Sequence, residues 1–158
     1  MYDVSNKFPS AHKAYFLDYY HPANQGPQNH FSKMLLSFKD GNPEGYTYFH
    51  ELINNVNNSL LQCDVGLRAL GSDETNSREN SDHPINKLLK SKSLNNKYVG
   101  HTLSKPITDQ LKFAGNSGNR RAILSNTYTC KSTIGNYKSV LLVDDVITTG
   151  TTIEEIIR

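Results

Sequence analysis

The chain has 158 residues, 36% of them hydrophobic, and a formal net charge of +2 from 17 basic and 15 acidic side chains. This length fits a single domain, 1–158, that can bury a core without disulfides or metal ions. The near balance of charge gives no strongly basic stripe of the kind that marks nucleic-acid binding, although a local site could still hold a small anion.

The cysteines and the hydropathy pattern limit the cellular compartments in which we expect the protein. Cys63 and Cys130 form no CxxC pair, so the sequence predicts neither a zinc ribbon nor a disulfide framework but two reduced thiols. No basic-then-apolar signal segment is present, and no apolar run approaches the ~18 residues that cross a bilayer. We therefore expect a cytoplasmic protein with no membrane attachment.

The first elements in chain order are an aromatic segment and two helices, which we assign to an N-terminal hood, residues 1–62. Apolar residues at helical spacing predict a helix from His30 to Gly41, where the glycine favours a stop. A second amphipathic helix is predicted over NPEGYTYFHELINNVNNSLL. An early strand or edge segment is predicted before them from five residues: Tyr15, Phe16, Leu17, Tyr19 and Tyr20.

The remaining segments, residues 63–158, alternate between strands and helices. CDVGLRALGSDE predicts a strand and a glycine turn, TNSRENSDHP a polar, mobile loop, INKLLKSKSL a short helix, and NKYVGHTLSKP a weak strand. The next segment, ITDQLKFAGNSGNRRAILSNTYTC, begins helix-like and becomes glycine-rich and basic. KSVLLVDDV is the strongest strand, expected to be buried on both faces, and TTIEEIIR begins a helix. This alternation predicts an α/β fold with a parallel sheet flanked by helices.

The segment VLLVDDVITTGTT places two carboxylates and a hydroxyl-rich turn directly after the strongest strand. Asp144 and Asp145 follow its carboxyl end, where open parallel sheets bind ligands. Gly150 permits a backbone that turns successive N–H groups inward, and threonine hydroxyls add donors, so the turn suits a phosphate. The carboxylates repel a phosphate and suit hydroxyls, a divalent cation or a cationic transition state. A phosphate beside a diol indicates a ribose 5-phosphate; a plain helix N-cap beside solvated acids fits the pattern poorly.

The same segment resembles the phosphoribosyl pyrophosphate (PRPP) motif of type I phosphoribosyltransferases. The chain is similar to the competence-protein ComF branch of that family in LSFKDG, which includes Lys39, and in the order of QL and NRR before the last strand. The resemblance implies a pentosyltransferase that uses Mg²⁺ and a nucleobase-type acceptor to displace pyrophosphate. It implies that Asp144 and Asp145 bind the ribose hydroxyls, stabilise the oxocarbenium-like transition state and meet Mg²⁺ through those hydroxyls or water. It assigns the 5-phosphate to Thr148, Thr149, Gly150, Thr151 and Thr152.

Two further segments resemble the remaining parts of such a site. The loop RALGSDE offers Arg68, Gly71 and Ser72 for the pyrophosphate, although an ordinary turn has the same composition. The segment KFAGNSGNRRAILSN resembles the mobile basic flap of family members, and at least one arginine, Arg120 or Arg121, is expected to reach pyrophosphate. A solvated basic loop, which would also contain Lys112, is the alternative.

The sequence also departs from the ComF pattern. The N-terminal four-cysteine zinc module of that branch is missing, and Arg158 lies about two turns into the last helix. Three explanations are open for the missing last edge strand of the sheet: the chain is a fragment, another subunit supplies the edge, or the fold is shortened. An exposed edge would favour pairing with another chain, so a homo-oligomer is one expectation. Tyr15, Tyr19 and Tyr20 could stack on the acceptor base or simply pack in the core. Six histidines make no metal-ligand spacing and are expected in surface or loop roles: His12, His21, His30, His50, His83 and His101.

Three functions remain open from the sequence. The first is a phosphoribosyltransferase that acts on a nucleobase-type acceptor. The second is a non-catalytic PRPP-sensing, nucleotide-sensing or accessory protein on the same fold, with a role in DNA uptake or DNA metabolism. The third is a different phosphate-binding α/β protein; a P-loop enzyme is disfavoured because the chain has no GxxxxGK[ST] segment.

Overall fold

The computed structural model shows a mixed α/β protein with a small parallel sheet and flanking helices. The structure describes residues 1–8, 11, 13–55, 63–76, 82–91, 103–106, 117–130, 136–147 and 150–158. For Ser117 and Arg120 it describes only the backbone.

Two helices form most of the N-terminal part. Helix α1 spans His30–Lys39 and begins at Asn29, whose side chain accepts a hydrogen bond from the Ser32 amide at 2.8 Å. Helix α2 spans Pro43–Asn54 and begins with a proline, which has no amide hydrogen to leave unpaired in the first turn. The prediction of α1 is confirmed, and the prediction of α2 is confirmed over Pro43–Asn54; its predicted continuation over residues 56–61 lies outside the described residues.

The parallel sheet consists of β3, Val65–Arg68, and β6, Val140–Val143. Their register pairs Val65 with Val140 and Arg68 with Val143. Two short antiparallel pairs accompany it. Strand β1, Tyr2–Asp3, pairs with β2, Tyr15–Phe16, and β4, Leu103–Ser104, pairs with β5, Thr129–Cys130.

Three shorter helices complete the fold: α3 over Pro84–Leu89, α4 over Ser117–Leu124 and α5 over Thr151–Ile157. Helix α5 lies within the segment predicted for it, and α3 begins at Pro84, one residue before its predicted segment, and covers the first five residues of that segment. Helix α4 corrects the sequence interpretation, because it occupies the stretch expected to be a glycine-rich basic loop. Leu124 gives it an apolar anchor that is only 2% exposed, and it packs against α5. The predicted helix-like start of that segment falls outside the described residues.

The two faces of the parallel pair each carry a hydrophobic cluster, because side chains alternate across strands. On one face, Leu141 and Val143 pack against a cluster from α1, α2 and α3: Phe31, Leu35, Phe38, Phe49, Ile85, Leu88 and Leu89. On the other, Leu142 packs against Val65, Leu67, Leu70 and Leu103. The hood helices therefore share a core with the sheet.

Burial differs between the two paired strands. All four residues of β3 are buried, whereas β6 is half-buried and Val140 is 46% exposed. The expectation that β6 is buried on both faces is therefore wrong, since Val140 is exposed and the other three residues are half-buried. The reason is that, in the part of the chain that is described, β6 pairs with β3 alone.

Two other expectations concern cysteine chemistry and membrane insertion. Cys63 is buried and Cys130 exposed, and neither forms a disulfide with a described residue. Within the described ranges, no helix has the length and apolar character needed to cross a membrane.

Candidate functional site

The parallel pairing brings the two predicted halves of the site together. Because Arg68 lies opposite Val143, the chain leaves both strands at the same edge of the sheet. The Ala69 amide donates to the Val143 carbonyl at 2.9 Å, one step beyond the last paired residues. The loop 69–74 and the aspartate pair that follows β6 therefore start side by side.

Asp144 and Asp145 are partly buried, and their pKa values are shifted in opposite directions. Burial raises the pKa of Asp144 to about 7, and the neighbouring Asp145 carboxylate adds to the rise. Burial opposes ionisation of Asp145 as well, but the ammonium of Lys39 outweighs it and holds that pKa below its ordinary value. The Asp145 amide donates to Asp144 Oδ1 at 2.9 Å, which holds the Asp144 carboxylate against the backbone of the next residue.

Lys39 is a member of this site to which the sequence analysis gave no role. It ends α1, and its Nζ lies 2.6 Å from Asp145 Oδ2. Both side chains remain reachable by solvent, at 43% and 27% exposure. The sequence analysis named Lys39 within LSFKDG but could not identify its partner, because Asp145 lies 106 positions further along the chain. Only the packing of α1 against the sheet brings the two together.

His83 also lies near the charged groups of the site. It precedes α3, and its Nδ1 accepts a hydrogen bond from the Ile85 amide at 3.2 Å. Burial lowers its pKa, and Arg68 lowers it further, while the carboxylates of Glu74 and Asp145 act in the opposite direction. A neutral imidazole is the form that accepts this bond. His83 is half-buried in the loop before α3, which agrees with the surface or loop role expected for the histidines, and His12 and His101 lie outside the described residues.

The phosphate turn is described only in part. Thr148 and Thr149 lie outside the described residues, whereas Gly150, Thr151 and Thr152 begin α5. Gly150 has φ +78°, the left-handed conformation that glycine adopts without strain, as the turn requires. A β-carbon at this position would lie 2.5 Å from Cε1 of Phe8, so the N-terminal segment packs directly on the turn.

The predicted pyrophosphate loop has its arginine inside the protein. The Arg68 side chain is fully buried. Its guanidinium donates to Glu74 at 2.7 and 2.5 Å, to Asn86 Oδ1 at 2.8 Å and to the Ala69 carbonyl at 3.0 Å. Gly71 is exposed and Ser72 half-buried in the loop that follows. The structure thus places Gly71 and Ser72 at the accessible part of the loop and Arg68 beneath it.

The predicted flap is a helix where it is described. Arg121 is exposed on α4, and the backbone of Arg120 lies next to it in the same helix. Lys112 lies outside the described residues. Among the described residues, Arg121 forms no hydrogen bond or ion pair with the aspartate pair or with loop 69–74.

The N-terminal tyrosines separate into two environments. Tyr19, at 62% exposure, belongs to an exposed aromatic cluster with Tyr2 and Phe16, whose ring centroids lie 4.8 Å apart. Tyr20 packs against the hydrophobic cluster of α1 and α2. Tyr15 is half-buried in β2, paired with Asp3.

Asp144 and Asp145 do not belong to a metal site built from protein side chains alone, as far as the described residues go. In the part of the chain that is described, no group of three or more His, Cys, Asp or Glu side chains is placed to hold a metal ion. Asp144 and Asp145 supply hard oxygen donors, and Mg²⁺ commonly keeps several waters while it binds substrate phosphates. The donor set therefore fits Mg²⁺ that meets the carboxylates through substrate hydroxyls or water, and it does not form a cage of protein ligands.

Comparison of the chain with protein-family models, with curated proteins and with solved structures gave no match.

Proposed function

We propose that the protein binds PRPP, or a nucleotide with a ribose 5-phosphate group, at the carboxyl ends of β3 and β6. The single observation that carries this proposal is the parallel pairing of these strands, which puts the aspartate pair and loop 69–74 at one edge of the sheet. The two segments were assigned from separate parts of the sequence to the ribose and the pyrophosphate of one ligand. Their adjacency is what a type I phosphoribosyltransferase-like fold requires.

The residues have separate parts in the proposed reaction, a phosphoribosyl transfer to a nucleobase-type acceptor. Asp144 and Asp145 accept hydrogen bonds from the ribose hydroxyls and stabilise the positive charge that develops at the anomeric carbon in the transition state. The turn that contains Gly150, Thr151 and Thr152 holds the 5-phosphate. Bound Mg²⁺ would neutralise charge on the pyrophosphate leaving group, with Asp144 and Asp145 holding it through ribose hydroxyls or water.

A non-catalytic sensing or accessory role on the same site is the second candidate. It is favoured by the Lys39–Asp145 ion pair, which engages one of the two carboxylates. Binding without turnover would follow if the pair persists when the ligand is bound. Release of pyrophosphate from PRPP across a panel of nucleobases separates the two roles, since only the enzyme produces it.

The first test is isothermal titration with PRPP, with and without Mg²⁺, followed by ribose 5-phosphate and nucleoside monophosphates. We expect PRPP binding that depends on Mg²⁺ and that weakens at least about 100-fold in Asp144→Asn with Asp145→Asn, because each charge-assisted hydrogen bond contributes about 1.5–3 kcal/mol. Asp40→Asn, at an exposed aspartate beyond the end of α1, is the matched control. Equal affinity of the double variant and the wild type would reject the site assignment.

A further inference from the structure

Four consecutive residues of loop 69–74 have backbone groups held by side chains or by a neighbouring strand. The Ala69 carbonyl accepts from Arg68, the Leu70 carbonyl accepts from the Tyr128 hydroxyl at 3.2 Å, and the Gly71 amide donates to Glu74 Oε2 at 2.7 Å. The Ser72 carbonyl accepts from Lys105 Nζ at 3.2 Å. The side chains involved, which we call the loop network, are Arg68, Glu74, Lys105 and Tyr128.

The centre of the loop network is a buried ion pair. Arg68 donates two hydrogen bonds to Glu74, and the same carboxylate reaches back to Gly71, so the guanidinium holds the acceptor of the loop amide in place. A β-carbon on Gly71 would lie 3.0 Å from Asp73 Oδ1 and 3.3 Å from Glu74 Oε2, which shows how closely the loop wraps its own carboxylates. An incoming anion would have to displace Glu74 before it could reach Arg68.

The other two members come from distant segments. Lys105 follows β4 and is 5% exposed; burial lowers its pKa, and the nearby carboxylates of Glu74 and Asp73 work against that shift. Tyr128 precedes β5, and burial raises the pKa of its hydroxyl, so the group stays protonated and donates. Each of them binds a backbone carbonyl of the loop and leaves the accessible side of Gly71 and Ser72 uncovered.

We propose that the loop network holds loop 69–74 in the shape that receives the pyrophosphate group, with Arg68 as a positioning residue that does not touch the ligand. The inference rests on the proposed function, since it concerns the pyrophosphate part of the same site. Arg68, which the sequence offered as a pyrophosphate ligand, becomes a residue that positions the loop. Glu74, Lys105 and Tyr128 have the same positioning role. Preorganisation of this kind lowers the ordering cost that a flexible loop would carry on binding.

The experiment combines amide hydrogen exchange with binding. Tyr128→Phe removes one hydroxyl and keeps the ring, so it loosens the loop with little risk to folding; Tyr137→Phe, at a tyrosine that is 38% exposed, is the control. We expect the Gly71 amide to exchange about tenfold faster in Tyr128→Phe, with exchange in α1 unchanged. We expect inorganic pyrophosphate and PRPP to bind about tenfold more weakly, and ribose 5-phosphate to bind as in the wild type.

Arg68→Lys and Lys105→Met extend the test to the charged members. The inference is overturned if Tyr128→Phe and Lys105→Met both leave Gly71 exchange and pyrophosphate affinity at wild-type values. It is also overturned if Arg68→Lys weakens pyrophosphate binding while Gly71 exchange stays the same, because Arg68 would then be a direct ligand. If the wild type binds neither PRPP nor pyrophosphate, the proposed function fails, and the exchange rates alone decide whether the network holds the loop.

Discussion

The Arg68–Glu74 pair gives the sharpest stability prediction. Replacing Glu74 with glutamine leaves the guanidinium of Arg68 without its counter-charge, in a place where the side chain is fully buried. Removing one partner of a buried ion pair typically costs about 3–5 kcal/mol, because the remaining charge is uncompensated. The Gly71 amide would lose a charged acceptor at the same time. For a domain of this size, about 3 kcal/mol corresponds to a fall in Tm of about 10 °C.

Urea unfolding and thermal unfolding of Glu74→Gln measure this loss. Glu51→Gln is the matched control, since this glutamate is exposed on α2 and its substitution should change stability by less than about 0.5 kcal/mol. A loss below about 1 kcal/mol for Glu74→Gln would refute the reasoning. It would mean that the pair is solvated or that the amide replaces the carboxylate without penalty.

The same variant has a defined pH dependence. Burial opposes ionisation of Glu74, but hydrogen bonds from Arg68 and Gly71 prevail and hold its pKa below the ordinary value of 4.5. A carboxyl group with a depressed folded-state pKa stabilises the protein fully above its unfolded pKa, and loses that contribution as the pH falls through the folded-state pKa. The stability difference between wild type and Glu74→Gln should therefore be constant near pH 7 and shrink below about pH 4.5.

Two glycines give further predictions. Gly45→Ala should destabilise the protein by about 2 kcal/mol in urea unfolding, because the new β-carbon would lie 2.7 Å from Cα of Phe38 and force α1 and α2 apart. Helix propensity alone predicts the opposite, a gain in stability of about 1 kcal/mol. A stabilised variant would therefore contradict the close packing of the two helices. Gly150→Ala should cost about 2 kcal/mol through its positive φ and the close ring of Phe8. Phe8→Ala should relieve part of that cost in a double-mutant cycle, and strict additivity would show that the ring does not press on the turn.

Local signals were sufficient to predict several elements of this protein. Apolar residues at helical spacing and the glycine Gly41 predicted α1, because a residue in the left-handed conformation ends a helix within one turn. The four apolar residues of β6 and the two aspartates after it identify a strand and a candidate ligand edge. The alternation of strand and helix patterns likewise predicts the α/β class.

The pairing of distant residues could not be predicted in this way. The residue pattern of VLLVDDVITTGTT contains nothing that names Lys39 as the partner of Asp145, and nothing in RALGSDE shows that Arg68 is buried. An exposed arginine that binds an anion and a buried arginine that binds a glutamate have the same sequence. The difference arises from the packing of α3 and of the segment after β4 around the loop.

The sequence by itself determined several of the elements, although not α4, and it determined which edge of the sheet carries the carboxylates, because these depend on short-range periodicity and residue type. Only the tertiary structure decided which charges meet. The parallel register of β3 and β6 set the two loops side by side, α1 brought Lys39 to 2.6 Å from Asp145, and burial gave Arg68 its partner in Glu74. Electrostatic interactions depend on distance and solvent exposure, and both are properties of the folded chain.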